Sequence, residues 1–342
     1  MKGMNEKVKS LIKNSLLILI GFAILSWLIW YTGPERLLAS LLSISPSWAS
    51  VSIVLVLVFY WFRAFRWTLL LRPVKDRVSV SKAFWITLIG YMTNFLSGTR
   101  VGGEFLRAFL MKLKEDVGFF EAFSSVCVER VLDLLGIVAI GVISIFLIPP
   151  SVNLPRWFME SLRLVGTLVL VALVGLVAGT RKEQALLGFL GRVLSLIRLP
   201  EKWRMQLLDF SKALIMGARG IGGDPASIVL IFSSTMVIWL LQALSIYAMF
   251  LSFGLGLPFR LVLLGSMVLQ LTFILPAPPG LAGTYEGAFV GIFVALGLRI
   301  EEVLPMSLLN HFIFLSLISL LGWAGMAKMN LSLEQLRNIR KQ

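Results

Sequence analysis

Cysteine and histidine are almost absent from this chain, which holds one of each in 342 residues, Cys127 and His311. A single cysteine excludes an intrachain disulfide and a multi-cysteine metal site, and a single histidine makes a histidine-built metal cluster untenable. Neither a cofactor nor a metal is therefore expected. Charge is scarce as well: Lys, Arg, Asp and Glu make up 15% of the residues against 58% hydrophobic ones, with a mean hydropathy of +0.88. Ordinary soluble domains do not reach that composition. Acidic residues are the scarcer sign, 18 against 32 basic ones, for a formal charge of +14. The basic residues stand at the ends of apolar segments and not in a polar domain. The surplus therefore reads as positively charged inner loops and contact with anionic headgroups, and nucleic acid is not expected as a partner.

What is present is a series of apolar runs. Those long enough to span a bilayer fall at about 14–31, 47–69, 121–148, 162–179, 226–252 and 303–326. Lys7, Lys9 and Lys13 before Ser15–Tyr31 imitate a secretory signal, but the run is long for one and no small-x-small site follows it directly. It is read as an uncleaved first helix that starts inside. Two further stretches, 83–97 and 258–275, are shorter, and each is followed by a Gly or Pro break and a second short apolar segment, 105–113 and 287–298. Their length suits helical hairpins that enter and leave by the same face.

Charge counting orients these segments. The connections from Arg63 to Lys82, with Arg66, Arg72, Lys75 and Arg77, and from Arg181 to Arg219 are rich in basic residues and are expected on the cytoplasmic side. The loops at Gly33–Pro46, Pro149–Glu160 and Arg299–Glu302 are poor in Lys and Arg and are expected outside. Both termini then lie in the cytoplasm. The fold class that results is an all-α polytopic membrane protein, with about six full spans plus two re-entrant helical hairpins in an inverted-topology repeat. A single integral membrane domain covers 1–342, with repeat one at about 14–148 and repeat two at about 162–326.

The hairpin tips carry the polar motifs, NFLSGTRVGGE at Asn94–Glu104 and PAPPGLAGTYE at Pro276–Glu286. Gly98 to Glu104 superimposes on Gly280 to Glu286 after a shift of 182 residues. Beyond a one-residue gap, Glu121 falls on Glu302, Glu129 on Asn310 and Arg130 on His311. Broken, ionisable segments cannot face lipid and must line a cavity or pack inside the protein. Arg100, Glu104, Arg107 and Lys112 follow the first break, where free amides and the helix dipole favour an anion such as phosphate. Glu104 and Glu286 could equally cap the helices they begin. In the second tip Gly280 and Gly283 permit tight turns, and Thr284 and Tyr285 place hydroxyls beside Glu286.

The segment EAFSSVCVERVLDLLG is the densest in intramembrane charge. Glu129 and Asp133 are four apart and share a helix face, and Arg130 can pair with Asp133 at i, i+3. Two roles stay open for these charges, a lock between helices and a direct part in binding or coupling. Asn310 and His311 occupy the corresponding place in the second half.

The glycine break followed by GGE and Arg107, the Glu129, Arg130 and Asp133 set, and PAPPGLAGTYE together resemble the transmembrane domain of the lysylphosphatidylglycerol synthase family. That family is also called flippase-like and includes the membrane half of the multiple peptide resistance factor. The resemblance covers nearly the whole chain. It implies movement of a phospholipid or lipid-linked substrate between leaflets of the cell (plasma or inner) membrane. By resemblance the positions matching the family's polar motifs are Glu104, Arg107, Glu129, Arg130, Asp133, Pro279, Gly280, Gly283 and Glu286. Members of the synthase branch carry a soluble aminoacyl-transferase domain after the membrane part. This sequence ends at Gln342, and lysyl transfer by this polypeptide is not expected.

The leading function is thus a lipid flippase acting by alternating access. Its substrate would be a phospholipid or polyprenyl-phosphate-linked molecule, and a separate lipid-modifying enzyme is a candidate partner. The alternatives are a membrane-embedded enzyme acting on lipid headgroups and an accessory subunit. The residues expected to bind substrate or couple its movement are Arg100, Glu104, Arg107, Glu129, Arg130, Asp133, Gly280, Gly283, Tyr285, Glu286, Asn310 and His311.

Overall fold

The computed structural model describes residues 18–97, 102–148, 225–273 and 277–331, with isolated positions between 156 and 201. Arg100 and the expected span at 162–179 lie outside the described residues, apart from isolated positions in the span. In chain order the helices are α1 (Ile18–Thr32), α2 (Pro34–Leu42), α3 (Pro46–Leu71), α4 (Val80–Ser97), α5 (Gly102–Glu115) and α6 (Phe119–Phe146). They continue with α7 (Pro225–Ser252), α8 (Phe259–Thr272), a 3-10 turn at Pro279–Leu281, α9 (Thr284–Ala295) and α10 (Ile300–Lys328). Among the described residues every regular element is helical, as a chain with apolar runs and no water around its backbone requires.

Among the described residues three helices, α3, α7 and α10, are long and apolar enough to cross a membrane, and a fourth crossing follows if the bent pair α1 and α2 counts as one. At about 1.5 Å per residue the 26 residues of α3 reach across the roughly 30 Å hydrocarbon layer with room to tilt. The 28 residues of α6 are long enough, but Glu129, Arg130 and Asp133 interrupt its apolar character at mid-length. The segment 34–42, expected as part of a loop, is a helix, turned by 83° from α1 at Gly33. Pro34 at its first position starts it without losing a needed N–H. Large apolar side chains such as Trp30, Phe120, Phe146, Phe312 and Leu320 stand exposed on the outer faces, as lipid contact demands.

The short helices pair as two hairpins, α4 with α5 and α8 with α9. Glycines set the first crossing. A side chain at Gly103 would collide with the Gly90 carbonyl oxygen, and one at Gly90 would meet the stem of Arg107. The backbones of α4 and α5 therefore touch directly. The open end of this hairpin lies beside the end of α3 and the end of α10. Lys75 donates to the carbonyl of Glu115 and reaches its carboxylate at 3.1 Å, and Lys82 reaches the other carboxylate oxygen at 3.0 Å. Lys114 in turn donates to the carbonyl of Met329 at 2.7 Å.

The open end of the second hairpin lies at the opposite pole, next to the start of α10 and the end of α7. There the Ser45 N–H donates to the Ser252 carbonyl at 2.8 Å. A cleft of about 580 Å³ lined by Arg36, Ser43, Phe253, Leu255, Arg299 and Glu301 opens at this pole, away from the buried charges described below.

The Glu115 clamp carries a pH consequence. Burial pushes its carboxyl up, but the bonds and charges of Lys82 and Lys75 outweigh this and hold it below the usual carboxylate range. A depressed folded-state value stabilises the protein above the unfolded value of about 4.3, and this contribution is lost as pH falls through the folded value. Glu115→Gln should therefore lower thermal stability at neutral pH and leave it nearly unchanged in strong acid. A stability profile in detergent from pH 3 to 7 checks this.

Candidate functional site

Two buried polar clusters occupy the helix bundle, one for each hairpin. The first gathers side chains from α3, α4, α5, α6 and α7. On α6, Glu129 and Asp133 share a face one turn apart and are 0% and 5% exposed. On α3, Arg63 and Arg66 sit at i, i+3 and turn toward them. Arg63 and Arg66 had been expected to begin a cytoplasmic connection. They instead lie within α3, buried, because Asp133 binds both guanidiniums: Arg63 donates to Oδ2 and Arg66 to Oδ1 at 2.6 Å. Arg66 also donates to Thr235 Oγ1 of α7 at 3.0 Å.

Arg107 of α5 links the hairpin to α6. It donates to Glu104 Oε2 at 3.0 Å and to Glu129 Oε2 at 2.7 Å, and its guanidinium lies 4.3 Å from the centre of the Trp67 ring. That stacking shelters a cation that would be costly to bury bare. The Trp67 N–H is itself satisfied by Ser125 Oγ at 2.9 Å.

The other oxygen of Glu129, Oε1, faces Arg63, Arg66 and Arg130 at 3.5–3.6 Å with no hydrogen bond. Arg130 is the one cation of the set with substantial exposure, 37% of its side chain. It donates to the Tyr91 hydroxyl at 3.0 Å and reaches Glu104 Oε1 at 3.2 Å and Asp133 Oδ2 at 3.5 Å. The expected Arg130–Asp133 contact is thus present but secondary, because Arg63 and Arg66 already hold that carboxylate.

Four guanidiniums, Arg63, Arg66, Arg107 and Arg130, face three carboxylates, Glu104, Glu129 and Asp133. Among the described residues one positive charge is left over, and its accessible outlet is Arg130.

Glu104 binds Arg107 and Arg130, and the amide of Gly103 donates to Asn94 Oδ1 at 2.6 Å. Glu286 caps its helix, accepting from the Gly283 N–H at 2.7 Å. Its second oxygen meets His311 Nδ1 of α10 at 2.6 Å, which builds the second cluster. Beside it Asn310 Nδ2 donates to the Tyr285 hydroxyl at 2.6 Å, and the Tyr285 and His311 rings stack with centres 4.4 Å apart. Gly280 and Gly283 adopt φ of +68° and +74° in the tip, a region other residues enter at a cost of about 1–2 kcal/mol. The Gly283 backbone also lies against that of Gly21 in α1.

The expected residues therefore fall into two groups: Glu104, Arg107, Glu129, Arg130 and Asp133 in one, and Gly280, Gly283, Tyr285, Glu286, Asn310 and His311 in the other. Among the described residues no hydrogen bond or ion pair joins the groups. An aromatic layer stands between them, Tyr91 beside Tyr60 at 5.7 Å and Tyr60 beside Phe314 at 6.3 Å. Among the described residues no set of three or more His, Cys, Asp or Glu side chains could hold a metal ion. Arg63, Arg66, Tyr91 and Thr235, with Trp67, Ser125 and Asn94 beside them, are participants not expected from the sequence. The i, i+3 spacing of two arginines ahead of Trp67, opposite two carboxylates one turn apart, was the available signal.

Comparison with known proteins agrees with a lipid-facing membrane chain. Over 323 residues the chain is 24% identical to a UPF0104 membrane protein of Methanothermobacter thermautotrophicus, covering 92% of this chain and 94% of that one. A UPF0104 membrane protein of Pyrococcus horikoshii is also 24% identical, over 91% of this chain and 95% of its own length. The Glycosyltransferase AglD of Haloferax volcanii is 21% identical over 89% of this chain, which spans about half, 52%, of that longer protein. No solved structure gives a significant match. The family profile described as the lysylphosphatidylglycerol synthase TM region matches residues 18–322, the stretch that contains both clusters, and the chain belongs to that family.

Proposed function

We propose that this protein is a carrier that moves an anionic lipid headgroup, of a phospholipid or a polyprenyl-phosphate-linked molecule, from one leaflet to the other. The observation that carries this reading is the surplus positive charge of the first cluster, accessible at Arg130. Arginine forks match phosphate oxygens two at a time. A phosphate that displaced Glu104 from Arg130 would keep every charge partnered while acyl chains remain in lipid. The hairpins α4–α5 and α8–α9, opening at opposite poles, support an inverted repeat with two re-entrant segments, which suits alternating access. In the repeat alignment Glu104 with Arg130 corresponds to Glu286 with His311, and each pair is in contact, at 3.2 and 2.6 Å. That one relative is named a glycosyltransferase supports a cargo drawn from lipid-linked sugars as readily as from phospholipids.

The test is exchange of fluorescently labelled phosphatidylglycerol across liposomes containing the purified protein. Arg130→Ala should lower the exchange rate at least about tenfold, the loss of one charge-assisted phosphate contact. Its melting temperature should stay near the parent's, because the side chain is partly exposed and Asp133 keeps two other partners. Parental exchange rates in both Arg130→Ala and Glu104→Gln would sink the reading.

A further inference from the structure

The equivalent pairs of the two halves differ in one chemical respect. Arg130 is a guanidinium and stays charged at any physiological pH, whereas His311 is an imidazole, the side chain whose charge changes between about pH 5 and 8. The structure gives the imidazole an unusual setting. His311 is 4% exposed and Glu286 is 3% exposed. With Glu286 ionised, its oxygens only accept, so Nδ1 is the donor of the 2.6 Å contact. Nε2 is buried and has no hydrogen-bond partner. A buried nitrogen without a partner is costly and calls for a reason.

Among the described residues no other charged side chain pairs with these two. The surroundings are apolar: Leu28 of α1 shares a hydrophobic cluster with Tyr285 and Phe289, and the Tyr285 ring that stacks on His311 also packs on Phe273 and Phe289. The titratable group in contact is Tyr285, whose hydroxyl is taken by Asn310. Arg260 on α8, Glu301, Glu302 and Lys328 on α10 and Lys82 on α4 sit at helix ends, and α7 has no Asp, Glu, Lys or Arg. Glu129, Arg130 and Asp133 of α6, which packs on α8, are engaged in the first cluster, and Glu121 stands in its first turn.

We propose that Glu286 and His311 form a proton-carrying site, loaded and unloaded at His311 Nε2, that couples the second hairpin to a proton gradient. The proposal rests on the carrier reading for its coupling half alone. With a proton on Nε2 the pair is an imidazolium beside a carboxylate, net neutral, and stable in apolar surroundings. Loss of that proton to water leaves a net negative pair, which is costly to keep buried. The unprotonated pair therefore favours a hairpin tip open to water and the protonated pair favours a closed one. One proton taken from water on one side and returned to water on the other closes the cycle.

Because the chain has a single histidine, 15N-histidine labelling reports His311 alone. The NMR spectrum of the labelled protein in detergent should show Nε2 gaining and losing a proton as pH is varied while Nδ1 remains protonated. In Glu286→Gln the Nδ1 proton should move upfield as its charged acceptor disappears. An Nε2 whose protonation does not change from pH 4 to 9 overturns the proton site, whatever the lipid activity.

Coupling is read in liposomes with labelled phosphatidylglycerol. One proton per lipid should convert each unit of pH gradient into about tenfold leaflet asymmetry at equilibrium, since one unit is 1.36 kcal/mol. Exchange that reaches equal leaflets under a gradient overturns the coupling and leaves the carrier intact. Absence of exchange at every pH counts against the carrier reading, and the titration alone then decides the proton site.

Discussion

Glu129→Ala is expected to destabilise the protein by about 3–5 kcal/mol, the effect of breaking a buried ionic network by removing one partner. Glu129 is wholly buried and faces four guanidiniums, with Arg107 nearest at 2.7 Å. Its removal leaves four arginines against two carboxylates in a site with little water to screen them. The double variant Glu129→Ala/Arg107→Met restores the original charge difference, since three arginines then face Glu104 and Asp133. It should recover a substantial part of the loss. Thermal unfolding in detergent reads both variants, and a single variant that melts with the parent would show that the network contributes nothing to holding α3, α5 and α6 together.

Gly283→Ala should be nearly as damaging through different physics. Position 283 has φ of +74°, which costs a non-glycine residue about 1–2 kcal/mol. A methyl group there would also run into the backbone of Gly21, which cannot swing aside as a side-chain tip can. Overpacking of that kind adds about 1–3 kcal/mol. The expected outcome is a loss of about 2–5 kcal/mol, with α1 lifted from the second hairpin. Gly280 shares the positive φ but has open space where a Cβ would stand. Gly280→Ala should therefore show the strain alone, and the difference between the two variants measures the α1 contact. Equal melting temperatures for Gly280→Ala and Gly283→Ala would show that the α1 contact adds nothing.

Most of the site was readable because polar residues inside apolar runs are conspicuous. Glu104, Arg107, Glu129, Arg130 and Asp133 stood out for that reason, and so did Glu286 with Asn310 and His311. The helical hairpins were legible from short apolar runs closed by Gly and Pro. Arg63 and Arg66 were not, because an arginine near the end of an apolar run looks the same whether it snorkels to the headgroups or folds inward. Only the demand of Asp133 for a cation separates the two, and that demand lies 67 residues away in sequence from Arg66. The turn at Gly33 was mistaken for the start of a loop because loss of basic charge marks the side of the membrane, not the backbone conformation. Asn94 was missed as the partner of the Gly103 amide for a related reason. Sequence shows that a tip has free N–H groups but not which side chain comes back to fill them.

The surplus positive charge of the first cluster also has an electrical meaning. Each unit charge displaced across the whole membrane potential does about 2.3 kcal/mol of work per 100 mV. An empty site of four arginines and three carboxylates would be driven by voltage toward the negative face. Filled by a phosphodiester, which bears one negative charge, the same site becomes electroneutral and the potential no longer opposes or assists its passage. Under the carrier reading, voltage would then govern the return of the empty protein, and a monoanionic cargo would cross at a rate independent of it.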